Sequence, residues 1–248
     1  MEFLRVASGG AATSLAVLSG DEDALSPRAR ALARLATTLT AQPWAVTSET
    51  VKDALRQGLD ADHVESAIGV VAMFNYFTRV ADASGIEFDY QSPLPAFAPD
   101  RGQTAVPRPD RAVPSVSDGS VSDAGPVGDG QRLPSPGPLR TAWETWRAYL
   151  LDTDEPIGRD ERRLLARVAA EESADWTGAE ELGPPASGPD TPAIAFARKL
   201  SREPWCMQPG DLENLRVAGY AEPAILHVIS VVAHQNATSR LALGLAAR

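Results

Sequence analysis

The fold is decided by residues 43–82, which read PWAVTSETVKDALRQGLDADHVESAIGVVAMFNYFTRVAD, and by residues 204–243, which read PWCMQPGDLENLRVAGYAEPAILHVISVVAHQNATSRLAL. When Pro43 is set against Pro204, the two stretches align without a gap, and 10 of the 40 aligned positions are identical. The identities include a Pro-Trp pair, one glycine, a Val-Val-Ala triplet, an asparagine and an arginine. Such a repeat indicates that one structural unit was duplicated within the chain.

Each copy predicts three helices in the same order. The apolar pattern places them at about 27–41, 47–57 and 61–85 in the first copy and at about 190–202, 209–218 and 222–246 in the second. Gly58 and Gly219 favour the end of the middle helix, because glycine adopts a left-handed conformation at low cost. The third helix carries apolar residues around nearly its whole circumference, so we expect it to be buried. Trp44 and Trp205 are expected to pack in the core at the corner between the first two helices.

The domain organisation follows from the position of proline and glycine. Residues 91–138 hold 10 of the 20 prolines and few apolar residues, which is typical of a flexible, disordered linker. Residues 1–90 then form the first helical unit, and residues 139–248 form the second. Almost no stretch alternates like a strand, so the predicted class is all-α, with two tandem units packed as a pseudo-dimer.

Composition excludes several classes of partner. The formal net charge is -10, which repels a phosphate backbone, so no nucleic acid is expected. No uninterrupted apolar run reaches the length of a membrane span, and the N-terminus is a poor secretory signal, so a cytoplasmic location and no membrane partner are expected. Cys206 is the single cysteine, which excludes an internal disulfide and a cysteine-cluster metal site. No metal or cofactor is predicted.

The repeated segment resembles a known family. The run from LSPRARALARLATTLTAQPW to AMFNYFTRVADASGIEFD is similar to the C-terminal half of the peroxidase-related branch of the carboxymuconolactone decarboxylase/AhpD-like family. Its most specific part covers Asn75, Arg79, Ala81 and Asp82. The second copy resembles the same segment more weakly, through FARKLSREPW and VVAHQNATSRLALG. The stretch DEPIGRDERRLLARVAAEESADWTGAEEL is similar to the family's catalytic helix.

The resemblance implies a thiol chemistry that these residues do not support. Active members carry Cys-x-x-Cys-x-x-x-His, in which one thiolate attacks peroxide and the second cysteine resolves the sulfenic acid. In the second copy the two cysteines align with Asp175 and Gly178, the histidine with Leu182, and a preceding glutamate with Arg163. The first copy lacks the corresponding helix, either because the unit is truncated or because the true start lies upstream. We therefore expect no thiol-dependent peroxidase activity.

Four polar side chains are the candidate catalytic residues: His234, Asn75, Arg79 and Asn236. Asn75 and Arg79 lie four residues apart on one helical face, so they could line a pocket between helices. Alternatively, Arg79 braces a neighbouring helix through carbonyls while Asn75 bonds the backbone. Because both residues recur in the second copy as Asn236 and Arg240, a shared structural role explains the recurrence more simply.

His234 could act as a general base, with Cys206 nearby, since histidine titrates near neutral pH. A buried structural role is the alternative for both residues. His227 and His234 are about 10.5 Å apart along one helix, which is too far for easy joint metal binding.

Two functions remain open at this point. The first is a cofactor-independent step on a small organic substrate by a repurposed member of the family. The second is a non-enzymatic, degenerate scaffold or partner-binding protein. Either function is compatible with a homo-oligomer, because a unit without its catalytic helix leaves apolar helix faces to be covered.

Overall fold

The computed structural model describes residues 16–17, 19–86, 106–111 and 133–248. These residues contain nine α-helices of six residues or more, and none of them lies in a β-strand. The predicted all-α class is therefore confirmed.

The described part of the first unit consists of three helices. They are α1 (Pro27–Ala41), α2 (Ser48–Arg56) and α3 (Ala61–Ser84). Each helix begins after a capping side chain, because Ser26, Thr47 and Asp60 each accept a hydrogen bond from the backbone N–H three residues later. Gly85 ends α3 with a φ of 65°, a left-handed conformation that glycine adopts without a steric penalty.

The second unit begins with three further helices. They are α4 (Pro138–Leu151), α5 (Arg159–Glu172) and α6 (Trp176–Glu181). The side chain of Asp175 caps α6 by accepting a hydrogen bond from the Gly178 N–H at 3.0 Å. Asp175 is the position that the family resemblance aligns with the first cysteine, and here its carboxylate has a local structural role.

The helix order of the first unit then recurs. The remaining helices are α7 (Pro192–Arg202), α8 (Pro209–Val217) and α9 (Glu222–Ala246). A short 3-10 helix on the Pro-Trp pair separates the first two helices of each set, at Pro43–Ala45 and Pro204–Cys206. Helices α8 and α9 begin at the residues that the repeat aligns with the first residues of α2 and α3. The predicted bounds of these six helices agree closely with the structure.

The two sets of helices share one interior. Helices α3 and α9 pack against each other along their length and form the most extensive helix pair among the described residues. Leu39 and Ile68 of the first set pack with Leu241 and Leu245 of α9 in one buried cluster. Gly244 permits this close approach, because a Cβ atom there would lie 2.8 Å from Ile68 Cγ2.

Residues 106–111, within the predicted linker, contact both sets of helices. The Val106 N–H donates to Gln42 Oε1 at 2.7 Å, and Trp44 Nε1 donates to the Val106 carbonyl at 3.0 Å. Arg108 Nη1 donates to Glu172 Oε2 of α5 at 2.5 Å. Residues 133–138 are also described, while the rest of the predicted linker lies outside the described residues. The flexible linker between residues 91 and 138 therefore stays a prediction.

The expectation that the third helix is buried is met along most of α9, where Leu226 near the start is 56% exposed, and is wrong for one face of α3. On α3, Val70, Phe74 and Phe77 are 56%, 64% and 56% exposed, and we call these three residues the α3 stripe. The matching Val231 of α9 is 0% exposed. The difference arises because α4 and α5 pack against α9, whereas none of the described helices covers the α3 stripe.

Candidate functional site

The candidate residues of the first unit form a buried hydrogen-bonded group. Asn75 Nδ2 donates to Thr40 Oγ1 at 3.1 Å and to the Val71 carbonyl at 2.9 Å. Arg79 Nη1 donates to Asn75 Oδ1 at 2.7 Å, which orients the guanidinium. Its Nη2 donates to the Ser201 carbonyl at 3.2 Å, in the other helical set.

The second unit makes the corresponding hydrogen bonds, with its arginine reaching into the first unit. Asn236 Nδ2 donates to Ser201 Oγ at 2.8 Å and to the Val232 carbonyl at 2.9 Å. Arg240 Nη1 donates to Asn236 Oδ1 at 3.1 Å, and its Nη2 donates to the Thr40 carbonyl at 2.9 Å. Each arginine therefore reaches across to the helical set that does not contain it.

We call this reciprocal network the arginine brace. Its members are Asn75, Arg79 and Thr40 together with Asn236, Arg240 and Ser201, the residues that the repeat aligns with them. Thr40 and Ser201 lie in the last turns of α1 and α7, where backbone carbonyls lack a partner within the helix. A cation at this end of a helix is favourable, because the carbonyl dipoles point toward it. Arg79 thus caps the C-terminal end of α7, and Arg240 caps the C-terminal end of α1.

Burial changes the acidity of both guanidinium groups. Burial lowers the pKa of Arg79 to about 10, an effect that the nearby charge of Asp82 partly offsets. Burial also lowers the pKa of Arg240 well below its usual value, and the positive charge of Arg79 lowers it further. The donors of both groups that reach the other unit point at carbonyl oxygens of helix ends. This geometry matches the structural alternative that the sequence left open.

His234 lies in an aromatic environment in the interior. It is 0% exposed, and its ring centroid lies 4.7 Å from that of Trp146 and 5.4 Å from that of Trp143. Neither ring nitrogen has a hydrogen-bond partner among the described residues. Burial lowers the pKa of His234 to about 3, and the positive charge of Arg147 adds to this effect. His234 is therefore neutral at neutral pH and is a much weaker base than an ordinary histidine.

His227 occupies a separate position on α9. Its Nδ1 lies 2.8 Å from Nη1 of the fully buried Arg162. Because a guanidinium only donates, Nδ1 is the acceptor and the proton of the neutral ring is on Nε2. Burial, followed by the charge of Arg162, lowers the pKa of His227. With Tyr76 and Tyr149, His227 lines a cleft of about 280 Å³, and this cleft does not include His234.

The sequence predicted that Trp44 and Trp205 pack in the core, and the structure buries neither of them fully. Trp205 is 69% exposed, and Trp44 is half-buried beneath Val106. The reason is the geometry of the two 3-10 helices. In each of them the proline faces the interior, so Pro43 and Pro204 are buried instead. Cys206 is a free, half-buried cysteine on the second corner, and the ring neighbours of His234 are Trp143 and Trp146.

A larger cleft of about 320 Å³ lies between α4, α6 and α9, and we call it the α6 cleft. Its polar lining includes Arg147, Gln235 and Thr238. Gly178 and Leu182 also line it, and these are the positions that the family resemblance aligns with the second cysteine and the histidine. None of the four predicted catalytic side chains lines the α6 cleft. Arg147 and Thr238 were not predicted, because no described helix of the first unit corresponds to α4 and could be compared with it.

Glu172 is a second feature that sequence analysis missed. Its side chain is 1% exposed and accepts hydrogen bonds from Arg108, Arg198 and Arg202. Burial alone would raise the pKa of Glu172, but the bonds from Arg202 and Arg198 outweigh it and hold the pKa below its usual value. This group fastens α5 and residues 106–111 to α7. Arg198 and Arg202 are spaced four residues apart, which was the available signal for a shared anionic partner.

Compared with protein-family models, with curated proteins and with solved structures, the chain matches none of them. The resemblance to the AhpD-like family therefore stays a prediction from the residues. Within the described ranges, no helix is both long and apolar enough to cross a membrane. In the same ranges, no group of three or more histidine, cysteine or acidic side chains could hold a metal ion.

Proposed function

We propose that the chain is a tandem, degenerate member of the carboxymuconolactone decarboxylase/AhpD-like family whose two units pair as a pseudo-dimer. The recurrence of helix order at a constant offset along the sequence supports duplication. The reciprocal arginine brace supports pairing, because each unit completes a helix end of the other. This is the relation that two identical surfaces make about a twofold axis.

We further propose that the protein works as a non-enzymatic, partner-binding scaffold. The observation that carries this proposal is the arginine brace, whose asparagine and arginine side chains are buried and bonded to the chain itself. The donors of these side chains that bond Thr40 or Ser201 could bind a substrate only if a structural hydrogen bond were broken. Asn75, Arg79 and Asn236 thereby lose their support as catalytic residues. His234 lies outside the brace and loses its support for another reason: burial lowers its pKa to about 3, which makes it a weak base.

The α3 stripe is the surface through which we propose that the chain associates with itself. Val70, Phe74 and Phe77 follow at spacings of four and three residues, so they share one face of α3. Contiguous exposed apolar side chains of this kind mark interaction sites in soluble proteins. The occupant that we propose is a second copy of the chain, because closed homo-oligomers are the commonest assemblies and an apolar stripe can be its own complement.

The association test compares two exposed positions by sedimentation velocity. The unmodified chain is expected to sediment as a dimer or larger species, and Phe74→Glu is expected to sediment as a monomer. Val217→Glu is the matched control, because Val217 is 80% exposed on α8 and lies outside the stripe. A monomeric unmodified chain, or a Phe74→Glu variant that still associates, would contradict the proposed surface.

The enzymatic alternative has its own test. With an alkyl hydroperoxide and a dithiol reductant, the full chain is expected to consume no more peroxide than buffer does, since it carries one cysteine. The Cys206→Ser variant serves as the control for adventitious thiol oxidation. Turnover that depends on Cys206, or robust turnover that survives its removal, would show that the protein is an enzyme after all.

A further inference from the structure

The α6 cleft has the size and composition of a small-molecule site. Its volume of about 320 Å³ falls at the lower end of the range that is usual for ligand pockets. Apolar side chains form much of its wall, including Leu133, Ala148, Leu182 and Ala242. The polar side chains of its lining come from α4, α6 and α9, so a ligand in the cleft would contact more than one helix.

One buried polar atom without a partner belongs to the lining of this cleft. Within the described part of the chain, seven buried side-chain nitrogen or oxygen atoms have no hydrogen-bond partner, and Thr238 Oγ1 is the one whose residue lines the cleft. Such atoms are rare in folded proteins, because each one loses its bond to water without replacement. A bound molecule that reaches the Thr238 hydroxyl would supply the bond that it lacks.

Among the described residues, Arg147 is the one cation in the lining of the cleft, which also includes the carboxylates Glu144, Asp152 and Glu181. Glu144 is paired with Arg140 at 2.9 Å and Asp152 with Arg163 at 2.6 Å, while Glu181 lies on the exposed side of α6. Arg147 forms no hydrogen bond or ion pair with any residue in the described part of the chain. An arginine in this state presents planar donors that fit the two oxygens of a carboxylate.

We propose that the α6 cleft binds a small organic carboxylate, with Arg147 and Thr238 holding the carboxylate and the apolar wall holding its body. Arg147 donates from its guanidinium to the two carboxylate oxygens. The Thr238 hydroxyl donates to one of the same oxygens and so gains the bond that it lacks in the protein alone. Binding involves no covalent step. The site stands independently of the proposed self-association.

Calorimetric titration of the full chain tests this site with defined probes. Acetate, benzoate and 2-naphthoate are each compared with the corresponding neutral amide, up to about 10 mM, where millimolar affinities are still detected. At least one carboxylate is expected to bind, and at least about tenfold more tightly than its amide, because the amide has no charge for Arg147.

Matched variants assign the effect to the cleft. Arg147→Gln is expected to weaken binding of the carboxylate at least about tenfold, and Thr238→Val several-fold. Arg56→Gln is the control, since Arg56 is an exposed arginine of α2, a helix that contributes no residue to the cleft. Circular dichroism establishes that each variant is folded. The proposal is overturned if no carboxylate binds, if the amides bind equally well, or if Arg147→Gln binds as the unmodified chain does.

Discussion

Helices α3 and α9 occupy matching places in the two units, yet they differ in what covers them. Both are long, both pack against each other, and both carry an asparagine and an arginine four residues apart. Helix α9 is further covered by α4 and α5, whereas α3 exposes the α3 stripe. At the surface shared by the two sets, Asn75 and Arg79 match Asn236 and Arg240. In the α3 stripe, Val70 matches Val231, but Phe74 and Phe77 align with the polar Gln235 and Thr238.

The same contrast extends to α1 and α7. Arg198 and Arg202 of α7 bind Glu172 at the end of α5, and their counterparts in α1 are Thr37 and Ala41. The two arginines of α7 lie where α5 supplies the Glu172 carboxylate. No described helix brings a corresponding carboxylate to α1, and α1 has no arginine at these two positions.

Substitution of the two brace arginines has the largest expected effect. Arg240→Met should lower the free energy of unfolding by about 3 kcal/mol, because it removes charged hydrogen bonds to the Thr40 carbonyl and to Asn236. Arg79→Met should lower it by about half as much, since Arg79 makes fewer such bonds and leaves its Nε without a partner. Urea denaturation measures both values.

The exposed Arg56 provides the control for these two variants. Arg56→Met removes only surface ion pairing with Glu49 and Asp53, so its effect should stay below about 1 kcal/mol. If both brace variants are as stable as this control, the brace does not hold the units together.

Two matching valines sharpen the contrast between covered and uncovered helices. Val231→Ala should cost about 2 kcal/mol, because Val231 is 0% exposed beneath the covering helices. Val70→Ala should cost less than about 0.5 kcal/mol in the monomer, because Val70 is 56% exposed. Thermal or urea unfolding at low protein concentration gives both numbers. Equal costs at the two positions would mean that α3 has a cover that the described residues do not include.

The smallest expected effect is the pH dependence of the free energy of unfolding that comes from His234. The pKa of His234 is lowered to about 3 in the folded chain, so below its ordinary pKa of about 6.5 only the unfolded chain takes up this proton. The free energy of unfolding should therefore fall by about 1 kcal/mol between pH 7 and pH 5.5 through His234 alone.

His234→Met isolates this contribution, because Met73 is the counterpart of His234 in the first unit. The variant should lose that part of the pH dependence, while the contribution of His227 is common to both proteins and cancels. Urea denaturation at several pH values provides the comparison. An unchanged pH profile in His234→Met would show that His234 is accessible to protons in the folded chain.

Much of the helical framework could be predicted from local signals. Ser26, Thr47 and Asp60 are capping residues, and the repeated Pro-Trp pair marks the corner in both units. The partners of Arg79 and Arg240 could not be predicted, because they are backbone carbonyls that depend on how the units pair. The exposure of Phe74 was equally out of reach, since the apolar pattern of a helix does not say whether a further helix covers it.

A crystal structure of the full chain tests the central claim most directly. We expect residues 27–84 to superpose helix by helix on residues 188–245, with Arg79 bonded to the Ser201 carbonyl and Arg240 bonded to the Thr40 carbonyl. Two segments of dissimilar shape would contradict the duplication. Arginines that point instead into a solvent-filled pocket would contradict the structural role of the brace.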